Sequence, residues 1–235
     1  VQATNDTHKA HPLYGSSQAL ALNSGTYNRV YDTIFLTPET RQMFLRRTRT
    51  LLDTWVKPPG THPLLLPIER FVRAWRDTLT VEAPLDRAKW GWPPKGGQSN
   101  FDPGIDLNAG VDGIINQFIA QRRLHFYCRH SITNTALPIG ITKAHNAGIP
   151  LAQPADAAVA ITKIEYNPAS GNQAEEFICV TNPNPYAIDI SDWKLAGGVE
   201  FAFRPGTVIP SNYALYVAAD LTAFRARATA PRGGM

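Results

Sequence analysis

Three residues near the end of a predicted helix, His125, Cys128 and His130, have side chains that bind zinc in many proteins. His125 and Cys128 are three positions apart, so a helix places them on one face. Zinc sites generally use three or four protein ligands, and no fourth ligand is suitably spaced nearby. A histidine that hydrogen-bonds a backbone carbonyl at the helix end explains the pattern more simply. We therefore predict no metal site here.

A glycine-rich loop contains four oxygen-bearing residues of the kind that bind calcium, namely Asp102, Asp106, Asn108 and Asp112. Their spacing differs from that of an EF-hand loop, and Gln117 cannot supply the bidentate carboxylate of such a site. N-capping of the following helix by Asn108 or Asp106 accounts for part of the pattern. Capping is the favoured interpretation, and calcium binding is the alternative.

No other group of residues has the arrangement that catalysis requires. Glu175 and Glu176 are adjacent near a predicted strand, so their side chains face opposite ways and cannot act as an acid–base pair. Cys128 has no histidine in a recognisable nucleophile motif. Gly96-Gly97 does not open a basic helix that cradles phosphates. We predict no catalytic residues, no cofactor-binding residues and no cofactor.

The chain has 235 residues, 43% of them hydrophobic, which is enough for one large domain or two smaller packed domains. Its net charge of +4 is only weak support for an acidic partner. No apolar run reaches the roughly 18 residues of a membrane span, and no signal peptide is visible. The start at Val1 suggests a processed or excised piece of something longer. The redox state of Cys128 and Cys179 is left open.

The first 130 residues are predicted to be mostly helical, because their apolar residues recur at helical spacing. The predicted helices are Tyr27–Phe35, one that starts after Thr37 with Pro38 as its first residue, Leu65–Leu79, Asp86–Trp90 and Ala109–Tyr127. Thr37 is a suitable N-cap, and proline is favoured at the first helical position.

The second of these helices is rich in arginine, at Arg46, Arg47 and Arg49. One interpretation is a patch that binds nucleic acid. The other is a solvent-exposed face, in which the guanidinium groups reach out to water. The arginines spread over more than half a turn and form no stripe along which a phosphate backbone could run. We therefore favour the exposed face over nucleic-acid binding.

The helix Leu65–Leu79 is the most amphipathic segment of the chain. Its apolar residues fall within a narrow arc, and its charged residues, which include Glu69, lie opposite. The apolar set is Ile68, Phe71, Val72, Trp75 and Leu79. We predict that this apolar stripe lies in the core and that the charged face is in water.

The region from about Ala160 to Ala219 consists of short predicted strands broken by turns. Ile188 and Ile190 alternate with Asp189 and Ser191, the pattern of a half-buried strand. A bulge is predicted at Ser191-Asp192, and Gly197-Gly198 is predicted to be a two-residue hairpin loop. Turn signals every 8–12 residues or so indicate an antiparallel β-sandwich.

The predicted fold class is therefore α + β in two parts. Residues 1–130 form a helical subdomain, residues 131–158 form a linker rich in Pro, Ala, Thr and Asn, and residues 159–235 form the sandwich.

Five segments of the C-terminal part resemble the lamin-tail domain, and more closely its bacterial version, which is found in large secreted proteins. They are Ile164–Pro168, Glu176–Ile178, Asn182-Pro183, Asp189–Leu195 and Gly206–Pro210. The resemblance implies an immunoglobulin-like sandwich. Cys179 and Asp192 depart from it, since the family usually has an acidic residue and a glycine there. The chain also stops before the family's final strands, so we expect an incomplete sandwich.

The helical part resembles the C-terminal region of CotH-type (spore-coat-H-like) proteins, which have an atypical protein-kinase fold. The segments concerned are Pro38–Asp53, Asp86–Gly91 and Gln121–Arg123. Bacterial members often carry a lamin-tail domain after this region. The resemblance implies that the nucleotide- and metal-binding residues lie upstream of the matched region, outside this chain.

We therefore expect a non-catalytic piece of a secreted or cell-surface bacterial protein, with a binding or structural role in surface attachment or assembly. The expected partner is another segment of the same protein, or a neighbouring chain, that completes the sandwich by strand addition. One alternative is that the parent is an active CotH-like kinase. A third is nucleic-acid binding by the basic helices.

Overall fold

The structure, a computed structural model, describes residues 11–13, 29–90, 106–140 and 145–231. These residues form two compact units. The helical unit comprises the described residues of Val1–Leu36 and Leu51–Leu151, and the β unit comprises those of Thr37–Thr50 and Ala152–Met235. The predicted fold class, α + β in two parts with antiparallel C-terminal strands, is confirmed.

The α-helices of the described residues lie close to their predicted positions, except Leu221–Ala226, which was not predicted. They are α1 (Arg29–Leu36), α2 (Pro38–Leu51), α3 (Pro67–Leu79), α4 (Glu82–Trp90), α5 (Leu107–Asp112), α6 (Ala120–Leu124) and α7 (Leu221–Ala226). Short π-helical segments, Leu52–Val56, Gly113–Ile119 and His125–Arg129, continue α2, α5 and α6, so that residues 107–129 are helical without a break. None of the helices in the described ranges is long and apolar enough to cross a membrane.

A buried ion pair holds α3 in the helical unit. Glu69 of α3 is 2% exposed and pairs with Arg123 of α6. Arg123 Nε also donates to the carbonyl oxygens of Val56 at 3.0 Å and Lys57 at 3.1 Å. These carbonyls follow a helix end, where backbone acceptors lack helical partners. One guanidinium therefore connects α3, α6 and the end of the helical segment Leu52–Val56, all within the helical unit.

The prediction for the two faces of α3 is wrong. Glu69 is buried, whereas Phe71, Trp75 and Leu79 of the apolar stripe are exposed, and only Ile68 and Val72 are half-buried. The physical reason is that Arg123 lies against the charged side of the helix and draws that side inward. An amphipathic pattern identifies the two faces of a helix but does not identify what covers each one.

The described residues of 131–151, which are part of the predicted linker 131–158, group with the helical unit. Asn146 is completely buried and its Nδ2 donates to the carbonyl oxygens of Asn134 at 2.9 Å and Leu137 at 3.3 Å. Asn146 Oδ1 accepts from the N–H of Gly148 at 2.6 Å. Hydrogen bonds from a side chain to the backbone, not a periodic apolar face, hold this segment together. Its sequence therefore shows no hydrophobic periodicity.

Two buried histidines, His11 and His130, lie in the same region with their ring centroids 4.6 Å apart. His130 Nδ1 accepts from the N–H of Ala147 at 3.0 Å, and its Nε2 lies 3.0 Å from Nε2 of His125. The backbone N–H of Ile149 bonds to the carbonyl of His130 at 2.7 Å. The end of the 107–129 helix is thereby tied to the segment 145–149.

The β unit contains seven strands, all paired antiparallel within the described residues. They are β1 (Ala160–Glu165), β2 (Phe177–Thr181), β3 (Ile188–Asp189), β4 (Lys194–Leu195), β5 (Phe201–Ala202), β6 (Val208–Ile209) and β7 (Ala214–Ala218). The strand orders are β1-β2-β7 in one sheet, β3-β6 in a second and β4-β5 in a third.

The predicted turn around Gly197-Gly198 does connect a hairpin, in which Lys194 pairs with Ala202 and Leu195 with Phe201. Five residues, 196–200, separate these two strands, so the loop is longer than the two residues predicted. The predicted irregularity at Ser191-Asp192 is a turn in which Asp192 has a φ of 63°, the left-handed region. The family's usual glycine at this position adopts that conformation without strain.

Candidate functional site

The three-stranded sheet β1-β2-β7 has one covered face and one partly open face. Its outer face carries Phe177, Cys179 and Tyr216, which pack with Phe224 of α7. The ring of Phe177 lies 5.6 Å from that of Tyr216 and 5.5 Å from that of Phe224, in edge-to-face contacts. Burial and the neighbouring Cys179 raise the pKa of Tyr216. Helix α7 thus closes the outer face.

The inner face of the same sheet covers the main core of the β unit. The core consists of five buried residues, Val180, Ile188, Ile190, Phe203 and Ile209. Val180 and Ile178 of β2 face it from the middle strand, and Leu215 and Val217 face it from β7.

Strand β1 presents two isoleucines on this inner face that are not covered. Ile161 pairs with Val180 and Ile164 pairs with Ile178, and directly paired residues face the same side of a sheet. Yet Ile161 and Ile164 are 54% and 57% exposed, while Val180 beside them is fully buried. A register shift between Ile161 and Lys163 places both isoleucines inward although they are three positions apart.

The outer edges of the sheet are also open. In the part of the chain that the structure describes, β1 and β7 each pair with β2 alone. Such an edge offers a row of backbone N–H and C=O groups to a further strand. We call the edge of β1, together with Ile161 and Ile164, the open β1 site.

Helix α2 is part of the β unit and is held there by the residues predicted to be in solvent. Arg46 is 3% exposed, and its Nε donates to the carbonyl of Ala187 at 2.8 Å. Arg47 Nη1 lies 3.1 Å from Asp189 Oδ2 and 3.0 Å from Ser191 Oγ. The prediction of a solvent-exposed arginine face is wrong for Arg46 and Arg49, because both guanidinium groups are buried.

Asp189 is the centre of this contact. It is buried, although the strand alternation predicted it on the outer, wet side. Burial by itself raises the pKa of its carboxyl, but hydrogen bonds from Ser191, Thr50 and Arg47 outweigh it and hold that pKa below the ordinary value. Gln153 completes the arrangement, since its Oε1 accepts from the N–H of Asp189 at 2.8 Å.

Replacement of Arg47 by methionine is expected to lower the free energy of unfolding of the β unit by about 1 to 3 kcal/mol, because it removes charge-assisted bonds to a buried carboxylate. Chemical denaturation followed through Trp193, the tryptophan of the β unit, measures this. Arg41→Met on the same helix is the matched control, since its side chain makes none of the contacts just described. Equal effects of the two changes would contradict the role of Arg47.

The histidines and the cysteine of the candidate zinc site are only partly brought together. His125 and His130 are in contact, but Cys128 is exposed and free. The suggested histidine bond to a carbonyl is not what holds His130, which bonds to the amide of Ala147 and to His125. Among the residues that the structure describes, no group of three or more His, Cys, Asp or Glu side chains is placed to hold a metal ion.

The candidate calcium loop lies partly outside the described residues, because Asp102 is not among them. Asp106 N-caps α5, with its Oδ1 accepting from the N–H of Ala109 at 2.7 Å, so the capping interpretation is confirmed for this residue. Gly96-Gly97 also falls outside the described ranges. Cys179 is buried and free.

Sequence reasoning missed the residues that define the open β1 site and the contacts between Arg47 and Asp189 and between Glu69 and Arg123. Each of these pairs joins residues more than 50 positions apart. No short-range pattern reports such a pairing. The apolar, β-branched character of Ile161 and Ile164 was visible, but not that their inner face is uncovered.

The comparisons with known proteins bear on the β unit. The comparisons with curated proteins and with solved structures gave no match. The resemblance of the helical part to CotH-type proteins stays a prediction. The family model described as Lamin Tail Domain matches residues 152–232, which include every strand of the β unit. This C-terminal part is therefore similar to the lamin-tail domain, an immunoglobulin-like domain, as the five sequence segments indicated.

Proposed function

We propose that this chain is a binding and structural piece of a secreted or cell-surface bacterial protein, and that the open β1 site accepts a strand from another segment of that protein or from a neighbouring chain. The observation that carries the proposal is the exposure of Ile161 and Ile164 on the inner face of a sheet whose middle strand is fully buried at Val180.

Strand addition satisfies two needs of the site at once. The added strand pairs with the free backbone groups along β1. Its alternate apolar side chains, together with the chain that flanks it, cover the two isoleucines. Removal of two half-exposed isoleucines from water contributes on the order of 2 kcal/mol. The main-chain bonds fix the position of the partner, and side-chain pockets select its sequence.

Amide hydrogen exchange tests this proposal. We expect the edge amides of β1 to exchange rapidly in the 235-residue chain and to be protected in the intact parent protein or its assembly. The amides of β2, which is paired on both sides, serve as an internal reference. Equally rapid exchange of the β1 edge in the intact parent would show that no strand is added there.

The change Ile164→Asp separates binding from folding. Because Ile164 is 57% exposed, we expect it to alter the stability of the isolated chain by less than about 1 kcal/mol. In the intact parent the same change is expected to abolish the protection of β1. The matched control is Ile132→Asp, a similarly exposed isoleucine of the helical unit, 47% exposed, which should leave that protection unchanged.

We also propose, as a second candidate, that the parent protein is a CotH-like kinase. What supports it is the order of the chain, in which segments that resemble the helical end of such proteins precede the match to the lamin-tail family at 152–232. The expected result is nucleotide binding by the parent protein and none by this chain.

Cell fractionation of the parent tests the secreted or surface location. Nucleic-acid binding is not supported, since Arg46 and Arg49 are buried.

A further inference from the structure

Helices α3 and α4, the short segment before α3 and the turn between the two helices expose large apolar residues to solvent. They are Leu64, Leu65, Phe71, Trp75, Leu79, Val81 and Leu85, with exposed fractions between 40% and 69%. We call these seven residues the apolar α3–α4 surface. Phe71 and Trp75 are in edge-to-face contact, with ring centroids 6.1 Å apart. The two aromatic side chains of the surface therefore lie side by side. Monomeric proteins rarely leave a patch of this kind in water.

Few residues of helices α3 and α4 are buried. In α4, every residue from Glu82 to Lys89 except Ala83 is exposed. Short helices are marginal in water and draw most of their stability from packing of an apolar face. Glu69 and Arg123 hold only the opposite side of α3. Within the described part of the chain, Phe71, Trp75 and Leu79 of α3 and most of α4 therefore lack the cover that would stabilise these helices.

We propose that a second copy of this chain covers the apolar α3–α4 surface and forms a two-fold symmetric dimer. The first argument is area. The exposed fractions of Phe71, Trp75, Leu79, Val81 and Leu85 correspond to roughly 550 Å² per copy, or about 1,100 Å² for the dimer, which exceeds the roughly 1,000 Å² expected of a specific interface.

The second argument is that the surface is complementary to itself. In a two-fold interface, residue i of one copy contacts residue j of the other, and j contacts i. An antiparallel arrangement with its axis near Thr78, close to the junction of α3 and α4, places α3 of each copy against α4 of the other. Phe71 then meets Leu85, and Trp75 meets Val81. Tryptophan is among the residue types that most often dominate the binding energy at the centre of an interface.

The same arrangement also matches charges. Arg70 and Asp86 are both exposed and are both eight positions from Thr78, on opposite sides. Each copy then contributes an arginine to the partner's aspartate, so the pair occurs twice at the rim of the interface. A parallel arrangement would instead place Arg70 near Arg70. The charges therefore favour the antiparallel dimer.

This proposal rests on the helical unit alone and is independent of the open β1 site, which lies in the β unit. Sedimentation equilibrium of the 235-residue chain, over about 1 to 100 µM at physiological salt, tests it. We expect the apparent mass to rise with concentration from 25.9 kDa towards twice that value, with a dissociation constant on the order of micromolar. A constant 25.9 kDa across the range, or growth beyond a dimer without a plateau, overturns the proposal.

Substitutions locate the contact. Trp75→Glu is expected to raise the dimer dissociation constant by at least about a hundredfold, as the loss of a central aromatic anchor does. The matched control is Leu221→Glu, at a leucine of α7 that is 59% exposed, which should leave the dimer unchanged. A dimer that resists Trp75→Glu forms elsewhere, and the proposal is then wrong.

A charge swap tests the antiparallel geometry. Arg70→Asp and Asp86→Arg are each expected to weaken the dimer by roughly three- to tenfold, because each brings like charges together. The double variant restores the opposite-charge pair and should return the dissociation constant to near its original value. Additive weakening in the double variant contradicts the proposed pairing. Circular dichroism at each step confirms that the helices are kept.

Discussion

Acidification from pH 7 to pH 5 is expected to lower the free energy of unfolding of the helical unit by about 3 to 4 kcal/mol. The cause is the pair of buried imidazoles of His11 and His130. Burial, with further contributions from Arg122 and Arg129, lowers the pKa of His11 from 6.5 to about 4. Burial, with contributions from His11, His125 and the same two arginines, lowers the pKa of His130 from 6.5 to about 3.

The hydrogen bonds of the two rings explain why they stay neutral. His11 Nδ1 accepts from the N–H of Leu13 at 3.1 Å, and His130 Nδ1 accepts from the N–H of Ala147 at 3.0 Å. A nitrogen that accepts such a bond cannot also carry a proton. His11 Nε2 donates to the carbonyl of His145 at 3.2 Å, which favours protonation but does not outweigh burial. Protonation of either ring therefore breaks a bond to the backbone.

The direction of the effect follows from the lowered pKa values. The unfolded chain takes up protons near pH 6.5, whereas the folded chain does so only near pH 4 and pH 3. The stabilisation is therefore complete above pH 6.5 and is lost progressively as the pH falls towards these lower values. The lowered pKa of Asp189 acts in a different window, below its ordinary value of 3.8, and affects the β unit.

Urea denaturation at pH 7, 6 and 5 measures the prediction. In a Trp92→Phe/Trp193→Phe background the three remaining tryptophans, Trp55, Trp75 and Trp90, lie in the helical unit, so their fluorescence reports its unfolding alone. His130→Asn keeps an acceptor for the amide of Ala147 and is expected to remove about half of the pH dependence. His62→Asn, at an exposed histidine, is the control and should remove none. Equal stability at pH 7 and pH 5 would contradict the prediction.

Replacement of Arg123 by methionine is expected to lower the free energy of unfolding of the helical unit by about 3 to 5 kcal/mol. The change leaves the carboxylate of Glu69 buried without its partner. Glu69 Oε2 already has no hydrogen-bond partner within the described residues, so no other group there takes over. The carbonyls of Val56 and Lys57 lose their donor as well.

Two further variants make this prediction specific. Arg76→Met breaks the ion pair with Asp77, which has a similar geometry at 2.7 Å but is exposed, and is expected to cost less than about 0.5 kcal/mol. The double variant Glu69→Met/Arg123→Met also removes the unpaired buried carboxylate. It is expected to recover at least half of the unfolding free energy lost in Arg123→Met. If Arg123→Met is no more harmful than Arg76→Met, the buried pair does not hold α3 in place.

The β unit was predictable from sequence to a considerable degree. The alternation at Ile188 and Ile190 and the turn at Gly197-Gly198 both correspond to observed structure. These are short-range signals. The two-residue period of a strand and the residue types that a turn requires can both be recognised from residues that are neighbours in sequence. The match of residues 152–232 to the lamin-tail family agrees with that reasoning.

The candidate site was less predictable for a definite reason. A strict two-residue alternation places Ile161 and Ile164 on opposite faces, and the register shift within β1 brings them to the same face. Likewise, Asp189 alternates with isoleucines and was expected in water, but Arg47 and Ser191 make its burial possible. Both outcomes depend on a partner strand or helix that is distant in sequence.

By itself, the amino-acid sequence determined most of the helices, where several of them begin, and that the C-terminal part consists of short strands and resembles a lamin-tail sandwich. Only the tertiary structure decided which faces are buried. Glu69 is buried because Arg123 lies beside it, while Trp75 is exposed although its helix is amphipathic. The physical reason is that local backbone preferences depend on neighbouring residues, whereas burial depends on what the rest of the chain, or another chain, brings into contact.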